Sequence, residues 1–176
     1  MKKIISLFLA AVFTLMLCSC GTTVETGPSD TDGQASVNQN SSKLEFTSTD
    51  MDGKTVSLSD YSQAKVIMIN MWETWCGPCV SEMPDLQKLY VKYKDSGFII
   101  LGATASHESE VKSMANDLGI TYPLIKRTAD LDRFETGYVP TTVFADGEGN
   151  ILTSEPIIGG KSYSEWEKVI QSYLNA

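Results

Sequence analysis

The chain has 176 residues, a length typical of one domain, and its 42% hydrophobic and 20% charged residues are ordinary for a soluble globular protein. Its 14 basic and 22 acidic side chains give a net charge of -8. Nucleic acid is therefore a poor partner, because no surplus of Lys and Arg exists to neutralise phosphates. Four cysteines and one histidine also leave few ligands for a metal.

The first 19 residues predict a secretory signal peptide. Two lysines precede an almost unbroken apolar run over residues 4–17, which is too short for a permanent membrane helix. Residues 17–20, Leu-Cys-Ser-Cys, resemble the bacterial lipobox. That resemblance implies that Cys20 becomes the first mature residue and carries a lipid, which anchors the protein to the extracytoplasmic side of a bacterial cell membrane. The alternative is a plain secretory signal with incidental cysteines.

After the lipidated Cys20, the chain up to residue 42 predicts a disordered tether. Residues 21–42 consist mostly of Thr, Ser, Gly, Asn, Gln and Asp, and they contain no aromatic residue. Such a segment cannot bury enough apolar surface to offset the entropy lost on ordering. We therefore place one folded domain at residues 43–176.

Within this domain the hydrophobic pattern alternates between strands and helices. A central strand is predicted at residues 65–71, because this nearly continuous apolar run suits a strand covered on both faces. The other predicted elements are a hairpin (44–47 and 55–58), a helix (79–93), a strand (98–103), a helix (108–118), a second hairpin (141–145 and 151–155) and a helix (164–174). This order predicts an α/β fold in which a central mixed β-sheet is flanked by helices.

One motif carries the chemistry, the Cys76-Gly77-Pro78-Cys79 sequence between the central strand and the first helix. Free N–H groups at a helix N-terminus stabilise a thiolate, and two intervening residues let the second sulfur reach the first. Pro78 starts the helix without wasting an N–H donor. A zinc site would need about four ligands, and haem attachment would need His where Val80 stands. The motif therefore predicts a redox-active pair.

Three segments carry a family resemblance: residues 72–84 (WETWCGPCVSEMP), 137–142 (GYVPTT) and 146–150 (DGEGN). They resemble the active site, the cis-proline loop and the following turn of TlpA/ResA-type membrane-anchored thioredoxin-like proteins. The resemblance implies a thioredoxin fold with an N-terminal β-hairpin and a central insertion. It also implies thiol-disulfide exchange outside the cytoplasm, usually in the reducing direction. The implied electron donor is a membrane protein of the CcdA/DsbD kind, with no cofactor beyond the Cys76–Cys79 disulfide.

The two cysteines are expected to differ in role. Cys76 starts the helix and can be exposed, so we expect it to attack, whereas Cys79 opens the buried stripe of the helix and should resolve the mixed disulfide. We expect Trp75, Gly77 and Pro78 to contact the substrate. Val139 and Pro140 should do so across a cis peptide bond opposite Cys76.

Glu82 is the predicted proton-transfer group. Cytoplasmic thioredoxin has an aspartate six residues before its first active-site cysteine, and Asn70 stands there in this chain. Glu82 lies three residues after Cys79, beside the apolar stripe, where its pKa should be raised. The alternative is that Glu82 turns outward from the first helical turn. Of the other polar residues near the motif, we expect Glu73 and His107 to be exposed, with the alternative that the charge of Glu73, so near Cys76, adjusts the reactivity of that cysteine.

Several alternatives in function remain open. A peroxiredoxin-type thiol peroxidase would need a hydroxyl three residues before its cysteine, but Glu73 stands there. A non-catalytic lipoprotein binding module and a DsbA-type oxidase are the other two. Disulfide-bearing client proteins compatible with the sequence include apocytochrome c, methionine sulfoxide reductase and misoxidised surface proteins. We expect a monomer.

Overall fold

The structure is a computed structural model that describes residues 43–176. The predicted signal peptide, Cys20 and the predicted tether lie outside the described residues. Among the helices of residues 43–176, none combines the length and the apolar character needed to cross a bilayer.

The described chain alternates strands and helices much as predicted. Its elements are β1 (Thr47–Thr49), β2 (Thr55–Ser57), β3 (Val66–Met71), α1 (Gly77–Tyr93), β4 (Phe98–Thr104), α2 (Glu108–Leu118), β5 (Leu124–Lys126), α3 (Ala129–Asp132), β6 (Thr141–Ala145), β7 (Ile157–Ile158) and α4 (Tyr163–Leu174).

A mixed five-stranded sheet forms the centre of the fold, in the order β5-β4-β3-β6-β7. Strands β3, β4 and β5 are parallel, whereas β6 runs antiparallel to both β3 and β7. Strands β1 and β2 pair antiparallel in a separate two-stranded sheet. The predicted central mixed sheet and the predicted N-terminal hairpin are therefore confirmed.

The sheet is covered on both faces, which explains why every residue of β3 is buried. Because side chains alternate along a strand, Met68 belongs to one core cluster and Ile67 and Ile69 belong to the other. The first cluster includes Leu86 from α1 and Trp166 from α4. The sheet therefore holds α1, with the cysteine pair at its start, against α4.

The second predicted hairpin forms, but its returning strand is shorter than predicted: Ile151 pairs antiparallel with Ala145, and the N–H of Leu152 donates to the carbonyl of Phe144 at 2.8 Å. Asp146 accepts hydrogen bonds from the N–H groups of Glu148 (2.9 Å) and Asn150 (2.8 Å), as a tight turn requires. The Thr153 hydroxyl then accepts a hydrogen bond from the N–H of Phe144 at 2.6 Å. This N–H is therefore not available to pair β6 with the backbone of a returning strand. The pairing with β6 resumes only at β7.

Hydrophobic periodicity predicts neither β5 nor α3. They have only three and four residues, respectively, which is too short for hydrophobic periodicity to develop. Strand β5 is nevertheless important for the site, because it places the residue that follows it, Arg127, at the carboxyl end of β4, where the Arg127 N–H donates to the carbonyl of Thr104 at 2.8 Å.

Candidate active site

The CxxC pair lies where β3 ends and α1 begins. Cys76 is the N-cap residue of α1, and its sulfur accepts the N–H of Cys79 at 3.3 Å. The two sulfurs are joined in a disulfide with an S–S distance of 2.01 Å. Gly77 and Pro78 form the first turn of the helix and are exposed. The predicted position of the pair at a helix N-terminus is confirmed.

Both cysteines are largely covered in this disulfide form. Cys79 is 1% exposed, as expected for the start of the buried stripe, but Cys76 is only 4% exposed. The expectation that Cys76 is exposed is therefore wrong for the oxidised protein. The cause is the loop before β6, because the carbonyl oxygen of Val139 lies 3.5 Å from the sulfur of Cys76.

The Val139–Pro140 bond is cis, as predicted, and faces the disulfide through that carbonyl. Pro140 is buried and Val139 is half-buried. The loop is fixed on both sides of the proline: the hydroxyl of Thr141 donates to the carbonyl of Tyr138 at 2.6 Å, and the N–H of Gly159 donates to the carbonyl of Pro140 at 2.8 Å.

Large apolar side chains are exposed around the disulfide. Trp75 is 76% exposed directly before Cys76, and Tyr138 is 69% exposed directly before Val139. Ile158 in β7 is 53% exposed, and it is the pairing partner of Thr141, the residue after the cis-proline. We call Trp75, Tyr138 and Ile158 the apolar rim. Large apolar side chains exposed near a reactive disulfide make this surface a candidate interaction site.

Glu82 points into the protein rather than outward, so the outward-facing alternative is wrong. It is 4% exposed, and its carboxylate accepts three hydrogen bonds. The donors are the side chain of Asn70 (3.0 Å), the backbone N–H of Lys161 (3.0 Å) and the indole N–H of Trp166 (2.7 Å). Burial raises the pKa of the Glu82 carboxyl, and these three donors oppose the increase.

The departure at Asn70 has a structural consequence. The Asn70 amide donates to Glu82 at 3.0 Å and to the hydroxyl of Thr142 at 3.1 Å. A carboxylate at position 70 would lack these protons, so Asn70 supports the buried charge of Glu82. Helix spacing predicts the position of Glu82, but no local pattern predicts its contacts with Lys161 and Trp166, which lie about 80 residues further along the chain.

Glu73 is buried, and the expectation that it is exposed is wrong. It is 6% exposed, and its carboxylate accepts hydrogen bonds from the Thr104 hydroxyl (3.0 Å), the Ser106 hydroxyl (2.5 Å) and the Ala105 N–H (3.2 Å). These donors lie at the carboxyl end of β4, which is adjacent to the end of β3 in the parallel sheet. His107, the N-cap of α2, is exposed as expected.

Comparisons with known proteins agree with this geometry of the cysteine pair. The model of the AhpC/TSA family matches residues 41–153. The ResA thiol-disulfide oxidoreductase of Bacillus cereus is 33% identical over 72% of this chain and 73% of its own length. That of Geobacillus kaustophilus is 31% identical over 92% of each chain.

The chain belongs to the AhpC/TSA family and, within it, to the ResA-type thiol-disulfide oxidoreductases.

A solved structure agrees with this assignment. The thiol:disulfide interchange protein of Chlorobium tepidum, a thioredoxin family protein, superposes with a TM-score of 0.66 at 27% identity and covers 75% of this chain and 94% of its own. The predicted thioredoxin-like fold is confirmed, and so is the prediction of a thiol-disulfide oxidoreductase.

The substitution Glu82→Gln should change how stability depends on pH. Burial raises the pKa of Glu82 above its ordinary value of 4.5, so the folded state binds this proton more tightly than the unfolded state. The stability that the proton contributes is fully present below the ordinary pKa and is lost as the pH rises through the raised one. In thermal melts of the oxidised protein, the melting temperature of Glu82→Gln relative to the parent should therefore increase from mildly acidic to neutral pH.

The matched control is Glu165→Gln. The hydroxyl of Ser162 holds the pKa of Glu165 below its ordinary value of 4.5, so the contribution of Glu165 to stability is lost only as the pH falls below 4.5. Between mildly acidic and neutral pH, the melting temperature of Glu165→Gln relative to the parent should therefore stay constant. A pH-independent difference for Glu82→Gln would contradict the raised pKa.

Proposed function

We propose that this protein reduces disulfides in extracytoplasmic client proteins, with Cys76 as the attacking cysteine and Cys79 as the resolving one. The observation that carries the proposal is the position of the disulfide. It lies at the N-terminus of α1, and the carbonyl of Val139 and the apolar rim lie beside Cys76. This arrangement suits a protein substrate better than a small molecule.

The first step uses the dithiol form. The Cys76 thiolate, stabilised by the free N–H groups of the helix N-terminus, attacks one sulfur of the client disulfide. A bond forms between Cys76 and the client, and the other client sulfur leaves as a thiolate. Cys76 is the sulfur placed for this attack, since it lies at the loop that holds Val139 whereas Cys79 is the more deeply buried of the two.

In the second step, Cys79 attacks the sulfur of Cys76. The Cys76–Cys79 disulfide forms, and the second client sulfur leaves, so the client gains two electrons and the protein loses two. A buried thiol reacts slowly unless a base takes its proton. Glu82, one helical turn after Cys79, is the buried carboxylate that supplies this base, and the increase in its pKa brings it closer to neutrality.

The oxidised protein must then be reduced again. The proposed electron donor is a membrane protein of the CcdA/DsbD kind, which exchanges its own dithiol for the Cys76–Cys79 disulfide. All electrons pass between sulfur atoms, so the proposed cycle uses no metal and no organic cofactor. The Gly77-Pro78 dipeptide resembles that of reducing thioredoxins, which supports the reducing direction.

Client binding in this proposal combines the backbone and the apolar rim. An extended client segment lies along the Val139–Pro140 loop, as an added strand would, with apolar side chains against Trp75 and Tyr138. Such a client is a partly unfolded protein with an accessible disulfide. Apocytochrome c fits this description, and methionine sulfoxide reductase is a second proposed client on the strength of its disulfide alone.

The proposed location is the outer face of the cell membrane, with Cys20 as the lipid anchor. Two or three acyl chains, at about 0.8 kcal/mol for each buried methylene, hold a protein stably. Removal of residues 1–19 takes away two lysines and no acid, so the net charge of the mature protein is more negative than that of the full chain. Repulsion from an anionic membrane surface would keep such a domain away from the lipid.

Trapping of mixed disulfides tests the roles of the cysteines. Cys79→Ser removes the resolving thiol, so it should accumulate covalent adducts with clients, whereas Cys76→Ser should form almost none. Adducts are counted on non-reducing gels after alkylation, with a protein that has one accessible disulfide as the substrate. Equal trapping by the two variants would overturn the assignment.

Glu82→Gln should slow turnover and leave the fold intact. The amide keeps the size of the side chain but cannot accept the Cys79 proton, so disulfide reduction should fall by up to ~10²-fold where proton transfer limits the rate. The parent rate should rise with pH through the raised pKa of Glu82, and the variant should lack this rise. Stopped-flow kinetics across mildly acidic to mildly alkaline pH measure both, with Glu165→Gln as the control. Rates that match the parent throughout would remove Glu82 from the mechanism.

Cys20→Ala tests the anchor. The variant should be released into the medium or the periplasm with its disulfide-reducing activity unchanged, because Cys20 lies outside the thioredoxin-like domain. Fractionation and immunoblotting measure the release, and a Cys18→Ala variant is the matched control and should remain with the membrane. Full membrane retention of Cys20→Ala would contradict a lipid on this residue.

A further inference from the structure

Glu73 is a second buried carboxylate, in the loop that leads into Cys76. Its three hydrogen-bond donors are neutral groups: the hydroxyls of Thr104 and Ser106 and the N–H of Ala105. Neutral donors satisfy the oxygen atoms but do not cancel the charge. A buried charge of this kind is costly unless a counter-charge lies close to it.

Arg127 is the counter-charge, but Glu73 has to share it. The guanidinium lies 3.9 Å from the Glu73 carboxylate, compared with 2.7 Å from Asp132 and 3.5 Å from Glu135. Arg127 is 18% exposed, whereas Asp132 and Glu135 are 46% and 52% exposed. One cation therefore serves three carboxylates, and its closest contact is not with Glu73, so the charge of Glu73 is balanced only in part.

The loop couples Glu73 directly to Cys76. The N–H of Cys76 donates to the backbone carbonyl of Glu73 at 3.0 Å, which closes a turn through Thr74 and Trp75. The N–H of Thr74 donates at 2.9 Å to the Ser106 hydroxyl, and that hydroxyl donates to the Glu73 carboxylate. A turn brings its first and last Cα atoms within about 7 Å, so the side chains of Glu73 and Cys76 leave the backbone close to each other.

We propose that Glu73 is a positioning residue for the Cys76 turn, and that its charge, tempered by Arg127, favours the disulfide over the dithiol. The physical reason is the difference in charge between the two forms: the reduced pair carries a thiolate, and the disulfide carries none. A buried negative charge beside Cys76 destabilises the thiolate and so makes the dithiol a stronger electron donor. The proposal rests on the proposed function only in taking Cys76 as the residue that becomes the thiolate.

Other charges face the pair, and they stay constant in the test. Glu110 of α2 accepts the Thr74 hydroxyl at 3.0 Å, and Glu82 of α1 lies next to Cys79 in the helix. Lys161, before α4, contributes a positive charge near Glu82. Among the charged residues in 43–176, Glu73 is buried in the Cys76 turn and Arg127 is its largely buried counter-charge, so they are the pair to change.

The test uses Glu73→Gln, Arg127→Gln and the double variant in the full chain. In glutathione buffers, the protein disulfide and two glutathione thiols exchange with the protein dithiol and one oxidised glutathione. Mass spectrometry of the alkylated peptide that contains Cys76 and Cys79 gives the equilibrium constant. The rate at which iodoacetamide alkylates Cys76 at neutral pH gives its thiolate fraction.

The two single variants should shift in opposite directions. Glu73→Gln should raise the alkylation rate of Cys76 several-fold and shift the equilibrium toward the dithiol by up to about tenfold, as expected for unit charges about 12 Å apart at an effective dielectric constant of about 20. Arg127→Gln should lower the alkylation rate of Cys76 and shift the equilibrium toward the disulfide. The double variant should give values between those of the two single variants. Arg127→Lys, which keeps the charge, should stay close to the parent.

The opposite signs separate a charge effect from damage to the fold, because a loosened loop would shift both variants in the same direction. Shifts of the same sign, or an equilibrium unchanged in Glu73→Gln, would overturn the proposal. If Glu73→Gln fails to fold, the comparison of Arg127→Gln with Arg127→Lys tests the proposal by itself. Equal alkylation rates and equal equilibrium constants for these two variants would overturn the proposal. Failure of the proposed function is separate, since it would appear as absence of client adducts in Cys79→Ser.

Discussion

The burial of a carboxylate in an apolar core is the constraint on which the arrangement of this site depends. Glu82 can be buried only because three donors meet at it: a side chain of β3, a backbone N–H before α4 and the Trp166 indole in α4. These contacts join the central strand, the redox helix and the C-terminal helix at one point. The Cys76–Cys79 pair is thus held on a helix that the rest of the domain cannot easily shift.

Two buried carboxylates, Glu73 and Glu82, lie beside the cysteine pair, one before Cys76 and one after Cys79. Apolar residues of similar volume at such positions are often as stabilising or more so, so core packing does not explain them. Each is supported by groups from other elements, and each acts on a different sulfur in the proposals above. The acidic surroundings limit the thiolate at Cys76 and supply a base to Cys79, and both effects suit a dithiol that gives electrons away.

The features that could be predicted from the sequence depend on residues close together in the chain. The redox pair, β3, α1 and α2 depend on spacing and periodicity within one segment, and the cis-proline loop was recognised from a short motif. The burial of Glu73 depends on Thr104 and Ser106, more than 30 residues away, and on the position of Arg127 after a three-residue strand. No local pattern distinguishes Glu73 from an exposed acid. The covering of Cys76 was likewise missed, because it arises from Val139, 63 residues further along the chain.

The difference in burial between the two sulfurs bears on the order of the proposed steps. Cys76 lies under a loop that a client segment would replace or extend, so a client sulfur approaching along Val139 meets Cys76 first. Cys79 is 1% exposed, so in the proposed mechanism the proton of its thiol passes to a group within the protein. The same core that hides Cys79 from the client raises the pKa of Glu82 by burial. In the proposed mechanism, burial therefore creates the need for an internal base at Cys79 and also raises the pKa of Glu82, the group proposed as that base.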